Sequence, residues 1–187
     1  MEKLRLYHAG FSAITHPDIR YSRSNADFGQ GFYLSDSKDF SMRWAKQRKG
    51  FDTVLNTYEL DPAGLKIKRF TRDIEWFSYI FSNRSVQPDT LAGYDVIIGP
   101  IANDTLYDTW GIISSGLLDK ELALELLQIG SAYTQIVIKT EKAVSQLRFL
   151  CSEILDPESL IPYREAVKNE EKAFQQQFSE RLSQANI

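Results

Sequence analysis

The first third of the chain alternates between hydrophobic and polar residues in short stretches. Residues 4–7 predict an opening strand, and residues 31–35 predict a second one. Residues 54–60 alternate again, include the β-branched Val54 and Thr57, and end at Asp61-Pro62-Ala63-Gly64, a sequence typical of a turn. This part of the chain is therefore predicted to form β-sheet.

Helical spacing of apolar residues appears between the predicted strands. Asp36 or Ser37 can cap a helix that runs through residue 45, because a short side-chain oxygen accepts from the free amide groups of the first turn. Gly50 is a natural end for it. Within residues 73–81, four apolar side chains share one wide helical face that we expect to pack on a sheet; they are Trp76, Phe77, Ile80 and Phe81.

The second half of the chain continues the same mixture of elements. Residues 94–98 form an apolar run closed by Gly99-Pro100, as expected of a strand buried on both faces. The remaining predicted elements are strands at 135–138 and 147–150, a helix at 117–130 and a short helix capped by Thr140. Strands and helices that are intermixed and closely connected indicate an α+β fold.

The composition changes after Pro157, where charged and amide side chains dominate. The sparse apolar residues of this tail follow a narrow helical stripe of Val167, Phe174, Phe178 and Leu182. We therefore expect a domain over residues 1–155 and a C-terminal helical extension over residues 156–187. An amphipathic helix of this kind is suited to binding a partner protein.

The composition bounds the class of protein. The chain has 187 residues, 43% of them hydrophobic, which fits one compact domain. A net charge of −3 provides no broad basic surface, so a polyanion would have to be bound by a local patch. No apolar run approaches the roughly 20 residues that span a bilayer, and the first residues lack the apolar stretch of a signal peptide, so a cytoplasmic protein is expected.

Cysteine and histidine are too scarce to indicate a metal site. Cys151 is the single cysteine and lies in the apolar run of residues 147–151, where a small buried thiol is expected. His8 and His16 occupy separate contexts, and no paired-cysteine spacing accompanies them. No metal is therefore predicted.

The stretch Asp27-Phe28-Gly29-Gln30-Gly31-Phe32-Tyr33 carries the most informative chemical pattern. Gly29 and Gly31 flank a single residue and let the backbone approach a ligand closely, while Phe32 or Tyr33 can stack on a flat ring. The alternative is that the glycines only form a turn and the two aromatic residues fill the core. The pattern thus suits the binding of a planar heterocycle, provided that other segments of the chain also indicate a ligand site.

Four ordered stretches of the chain resemble the bacterial DUF3990 family, which is placed in the ADP-ribosyltransferase superfamily. They are residues 6–10, residues 27–34 with Trp44-Ala45, residues 94–105 and residues 135–147. The resemblance covers roughly residues 4–150, and four stretches in order are more specific than one motif. It implies an ADP-ribosyltransferase-like split β-sheet core with peripheral helices, and NAD as co-substrate.

The resemblance also implies roles for individual residues, through the His-Tyr-Glu branch of the superfamily. His8 would contact a ribose hydroxyl, the main chain of Ala9 and Gly10 would hold the nicotinamide amide, and Tyr33 would stack on the nicotinamide ring. Relatives more often have glycine directly after the histidine, where this chain has Ala9. The glycine–aromatic stretch adds Gly29, Gly31 and Phe32 to the expected binding set, and the loop after Gly99-Pro100 adds Asn103.

The expected catalytic carboxylate is missing from the sequence. Many superfamily members place a glutamate at the start of a late strand, where an anion stabilises the positive charge that develops on the ribose. Here that segment offers Thr134 or Gln135. Gln135 can accept from a ribose hydroxyl, or it can be an ordinary strand-edge residue, and Asp104 can supply the anion or simply cap a helix. Arg84 is a further candidate, for contact with a diphosphate.

Two functions are compatible with this pattern. The first is an NAD-dependent ADP-ribosyltransferase, or an NAD glycohydrolase, that acts on an unidentified macromolecular acceptor. The resemblance suggests a bacterial toxin or effector, and the amphipathic tail suggests that an antitoxin or other partner protein binds at the C-terminal helix. The second is a non-catalytic module on the same fold that binds NAD or ADP-ribose or a partner protein, which the missing glutamate favours.

Overall fold

The computed structural model describes residues 2–102, 122, 125–126 and 128–184. Its first sheet has three antiparallel strands in the order β1 (Leu4–Gly10), β3 (Thr53–Leu60) and β7 (Leu147–Leu155). The second sheet has the order β2 (Phe32–Leu34), β6 (Thr134–Ile138), β5 (Val96–Pro100) and β4 (Ile67–Arg69), with only β4 and β5 parallel.

Side-chain caps begin the shorter helices where the sequence predicts them. The described helices are α1 (Lys38–Arg43), α2 (Ile74–Arg84), α3 (Glu141–Ser145) and α4 (Ile161–Gln184). Ser37 accepts from the amide of Phe40 at α1, and Thr140 does the same for Ala143 at α3. Helix α1 ends earlier than expected, because Trp44 already forms its C-cap.

Apolar residues bury both faces of the second sheet. One cluster lies between the two sheets and includes Leu6, Phe32, Tyr58, Ile98 and Ile136. A second cluster lies between the second sheet and α2 and includes Phe28, Trp76, Phe77, Ile97 and Val137. This confirms that Trp76, Phe77 and Ile80 of α2 pack on a sheet and that β5 is buried on both sides, whereas Tyr79 takes the place in the cluster that was expected for Phe81. A third cluster covers the outside of the first sheet, with Met42, Leu55 and Leu160.

Main-chain hydrogen bonds join the two sheets at one point. The amide of Tyr7 donates to the carbonyl of Ser35 over 2.8 Å, and the amide of Ser35 donates back over 3.0 Å. The Ser35 hydroxyl donates to the carbonyl of Thr134. Strands β1, β2 and β6 therefore meet here, and this junction positions the candidate site.

Helix α4 lies along one side of the molecule and is anchored at intervals. Glu170 accepts hydrogen bonds from Arg43 on α1 and from the Tyr133 hydroxyl just before β6. Phe174 is the buried residue of the helix and packs close to Gly130. The predicted narrow stripe is thus confirmed in the part of the tail that the structure describes. No helix among the described residues is long and apolar enough to cross a membrane.

The structure confirms an α+β architecture with two sheets and a C-terminal helix, and it corrects one expectation. Cys151 is exposed, although its apolar neighbours predicted a buried thiol. The β3–β7 register shifts between Thr57 and Tyr58, so Cys151 pairs with Thr57 on the outer face of an edge strand. The sequence also gave no sign of β4, and the predicted helix at 117–130 lies largely outside the described residues.

Candidate functional site

His8 lies beside the junction of β1 and β2 and is held there by the main chain. Its Nδ1 atom is 2.8 Å from the carbonyl oxygen of Tyr33. The half-buried imidazole packs against Phe32, with 4.7 Å between ring centroids. Strand alternation explains this position, because His8 points to the same side of β1 as Leu6, into the space between the sheets.

These contacts determine which nitrogen of His8 is available. A carbonyl oxygen can only accept a hydrogen bond, so Nδ1 must donate, and in the neutral ring Nε2 is then the acceptor. Burial lowers the pKa of His8, and the bond to Tyr33 only partly opposes this, so the ring is neutral at pH 7. No described residue is hydrogen-bonded to Nε2. A Cβ at position 10 would lie only 3.3 Å from Nε2 and would crowd it, which glycine avoids.

Tyr33 points to the opposite side of β2 from Phe32. Its ring packs with the cluster under α2. Its hydroxyl donates to the carbonyl of Gly29 over 2.6 Å and accepts from the amide of Phe28 over 3.0 Å. Burial raises the pKa of this phenol far above its ordinary value. Tyr33 therefore holds the turn before β2, in addition to any ligand contact.

Steric constraints explain why both Gly29 and Gly31 are glycine. Gly29 has a φ of +71°, and a Cβ there would lie 2.9 Å from Asp89 Oδ2. A Cβ on Gly31 would lie 2.6 Å from the carbonyl oxygen of Ile138 on β6. The turn requires Gly29 and close packing requires Gly31. This agrees with the alternative in which the glycines serve the fold, and their contact with a ligand stays a prediction.

Gln135 lies in a polar cluster on the Tyr33 side of the second sheet. It is 8% exposed, and its amide nitrogen donates to Asp27 Oδ2 over 3.2 Å. The other oxygen of Asp27 forms a 2.6 Å ion pair with Arg84 on α2. A carboxylate thus stands next to Gln135, although β6 itself provides none. Arg84, a candidate for diphosphate contact, is at the same time the partner of Asp27.

A second polar cluster was not visible in the sequence. Lys139, directly after β6, donates to Asp89 over 2.5 Å and to the carbonyl of Phe28 over 2.6 Å. Asp89 also accepts from the Tyr79 hydroxyl over 2.7 Å. The local signal is a lysine that directly follows the apolar run of residues 136–138. Both clusters tie the segment before β2 to α2 and β6.

The structure brings part of the predicted site together. His8, Ala9 and Gly10 are consecutive on β1, and His8 contacts both Phe32 and the main chain of Tyr33. Gln135 lies on the other face of the second sheet from Phe32. Asn103 and Asp104 lie outside the described residues. No group of side chains suited to holding a metal ion occurs in the described part of the chain.

Comparisons with known proteins add a family and a structural neighbour. A search of curated proteins finds no match. A solved structure of the MbcT-MbcA toxin-antitoxin complex from M. tuberculosis matches with 14% sequence identity and a TM-score of 0.45, over 88% of this chain and 90% of the matched one. The family model described as "Protein of unknown function (DUF3990)" matches residues 4–149. The chain therefore belongs to the DUF3990 family.

Proposed function

We propose that this protein binds NAD and transfers ADP-ribose from it to a macromolecular acceptor, as an ADP-ribosyltransferase-like bacterial toxin or effector. The observation that carries the proposal is the fixed, neutral imidazole of His8 with Nε2 unoccupied by the described residues. The four ordered stretches that resemble the superfamily support the same conclusion.

The geometry around His8 fits the ribose end of NAD. A neutral Nε2 accepts from a ribose hydroxyl, and the carbonyl of Tyr33 keeps the ring from rotating. Gly10 leaves room beside Nε2 because it has no Cβ. The main-chain groups of Ala9 and Gly10, at the end of β1, are the candidates for the nicotinamide amide, which backbone groups can hold in one orientation.

Replacing His8 with alanine is expected to weaken NAD binding about three- to tenfold, the equivalent of one hydrogen bond. The affinity is measured by calorimetry with the folded variant. Because burial lowers the pKa of His8, wild-type affinity should stay level at neutral pH. It should fall only as the pH drops below the ordinary histidine value of ~6.5, where Nε2 gains a proton.

His16→Ala is the matched control, because this exposed histidine is hydrogen-bonded only to Thr15 among the described residues. Its NAD affinity should equal that of the wild type. Equal affinities for His8→Ala and the wild type, with NAD bound by both, would refute the assignment of His8 to the ribose.

Catalysis requires a group that stabilises the charge developing on the ribose. Breaking the bond between nicotinamide and ribose C1′ leaves positive charge on the sugar. Gln135 with the neighbouring Asp27 carboxylate can oppose it where the sugar extends from His8 to the other face of the second sheet. Asp104 remains the candidate from the sequence. We expect Gln135→Ala or Asp104→Ala to slow nicotinamide release about tenfold, which is the loss of one strong hydrogen bond.

The rival function is a non-catalytic module that binds NAD or ADP-ribose, or a partner protein, without reaction. It is favoured by one observation: the Asp27 carboxylate that Gln135 contacts already forms an ion pair with Arg84. Intact NAD binding without nicotinamide release, with any acceptor offered, would establish this alternative. Release that disappears in either variant would establish the enzyme.

The C-terminal extension is proposed as the site of an antitoxin or other partner protein. Along α4 only Phe174 is buried, so most of the helix surface is available. Removal of residues 156–187 would also remove the contacts of Leu160 and Glu170 with the body of the protein. Single substitutions on the exposed side of α4 are therefore the better way to map a partner.

A further inference from the structure

A tight hairpin between α1 and β3 carries exposed rings and cations. The amide of Phe51 donates to the carbonyl of Arg48 over 3.1 Å, and Gly50 between them has a φ of +82°. Phe11, which directly follows β1, packs against Phe51 with 6.1 Å between ring centroids. We call this surface the basic hairpin; it consists of Phe11, Lys46, Arg48, Lys49 and Phe51.

The aromatic rings of the basic hairpin face solvent. Phe51 is 53% exposed and Phe11 is 39% exposed. The guanidinium of Arg48 lies over the Phe51 ring, 4.5 Å from its centroid. Two large apolar rings in contact at the surface, extended by a planar cation, provide stacking surface that the fold itself does not use.

The charges of the basic hairpin are available as well. Lys46, Arg48 and Lys49 are exposed, and none forms an ion pair within the described part of the chain. The nearby acids are Asp52 and Asp156, and Asp156 accepts from the amide of Glu158. A chain with a net charge of −3 therefore concentrates three cations on one short turn.

A concave surface adjoins the basic hairpin. A cavity of about 620 Å³ is lined by Arg48, Lys49 and Phe51, by Ile154 and Pro157, and by the carboxylates Asp52 and Asp156. Small-molecule sites commonly occupy roughly 300–1,000 Å³, so the cavity has room for a nucleotide unit. Ile154 is itself exposed and adds an apolar contact at the rim.

We propose that the basic hairpin binds single-stranded nucleic acid, with bases stacked on Phe51 and Phe11 and backbone phosphates beside Lys46, Arg48 and Lys49. Single strands are bound in this way, by aromatic side chains that stack on unpaired bases and cations that follow the backbone. An acidic peptide would use the cations but not the exposed ring faces. A duplex would keep its bases stacked on each other.

The position of the basic hairpin gives the site a role in the proposed reaction. Phe11 is adjacent to Gly10 and three residues from His8, and Gly10 pairs with Val54 just beyond the hairpin. A bound strand would therefore lie next to the end of β1, where the NAD ribose is proposed. The inference that nucleic acid is the acceptor of ADP-ribose rests on the proposed function. The inference that nucleic acid binds to the basic hairpin does not.

The test is fluorescence anisotropy with labelled oligothymidine and oligouridine of about 15 nucleotides, a length typical of single-strand sites. The double variant Phe51→Ala with Arg48→Ala should bind at least tenfold more weakly than the wild type. The matched control is Tyr21→Ala with Lys172→Ala, which removes an exposed ring and an exposed cation elsewhere and should leave affinity within twofold. Wild-type affinity should fall steeply between ~50 and ~200 mM salt.

Three results would overturn the inference. They are no binding of either oligonucleotide at low salt, equal binding by the double variant, and duplex DNA bound as tightly as the single strand. The comparison of oligothymidine with oligouridine shows whether DNA or RNA is preferred. NAD affinity, measured separately, distinguishes the two proposals: oligonucleotide binding without NAD binding would sustain the hairpin site and refute the NAD-dependent function.

Discussion

Replacing Asp89 with alanine should lower the free energy of unfolding by about 3–5 kcal/mol, because it leaves a buried charge without its anion. The Lys139 side chain is 4% exposed and Asp89 is 22% exposed. Without Asp89, the Lys139 ammonium would retain only the carbonyl of Phe28 among its described partners. The Tyr79 hydroxyl and the amide of Leu91 would lose the same acceptor. Urea denaturation at neutral pH measures the change.

Glu59→Ala is the matched control for this prediction. The Glu59 carboxylate also forms two ion pairs, with Lys3 and Arg148, but both of these cations are more than half exposed. Water screens such pairs, so we expect less than about 1 kcal/mol of destabilisation. Equal losses in the two variants would contradict the importance of burial at Asp89.

The pH dependence of unfolding provides a second measurement on Asp89. Burial raises the pKa of Asp89, but hydrogen bonds from Lys139, Tyr79 and the Leu91 amide outweigh it, so the pKa is lowered overall. A lowered folded-state pKa means that the carboxylate stabilises the fold above the unfolded value of ~3.9, and that this contribution is lost as the pH falls through the folded value. Asp89→Asn should therefore flatten the acid side of the stability profile.

The local features of this fold were readable from the sequence, whereas contacts distant along the chain were not. Ser37 and Thr140 cap helices that begin one residue later, so short-range chemistry alone predicts them. The contact between Asp27 and Gln135 joins residues 108 positions apart. Such a contact depends on which strands are neighbours in the sheet. The prediction that Cys151 is buried was wrong for a related reason. The bulge that exposes Cys151 depends on how β3 pairs with β7, which the local sequence does not show.

In the candidate site too, the sequence pattern identified residues, but it did not show which of them lie together. The sequence analysis placed Phe32 and Tyr33 in one binding set, but adjacent residues of a strand point to opposite faces. Phe32 faces His8 between the sheets, whereas Tyr33 faces α2. A ligand held by the His8 imidazole therefore meets Phe32 and the Tyr33 main chain first. The Tyr33 ring and Gln135 lie on the other face of the second sheet from that ligand.

This geometry changes how Tyr33 should be tested. The sequence suggests that Tyr33→Ala removes a stacking surface and leaves the fold intact. The structure shows that the same side chain fixes the main chain of Phe28 and Gly29. A loss of NAD binding in Tyr33→Ala would thus not separate a lost ligand contact from a rearranged turn. His8 gives a cleaner measurement, because its hydrogen bond to Tyr33 is its single described polar contact.

Gly31→Ala should lower the free energy of unfolding by about 1–3 kcal/mol, because the added methyl group has no space. Its Cβ would lie 2.6 Å from both the carbonyl oxygen of Ile138 and a methyl carbon of Val137. The carbonyl belongs to the β2–β6 ladder and cannot move without disturbing the pairing of Phe32 with Ile138. Thermal and urea unfolding measure the loss.

Gly93→Ala is the control for the glycine prediction. The nearest atom to its Cβ would be Lys66 Nζ at 4.0 Å, the end of a flexible side chain. We expect no loss there, or a gain of about 0.4–1 kcal/mol from a less flexible unfolded chain. If Gly31→Ala were as stable as the wild type and yet failed to bind NAD, close packing would not be the reason for this glycine. The close approach of a ligand to the backbone, which the sequence first suggested, would then be the better explanation.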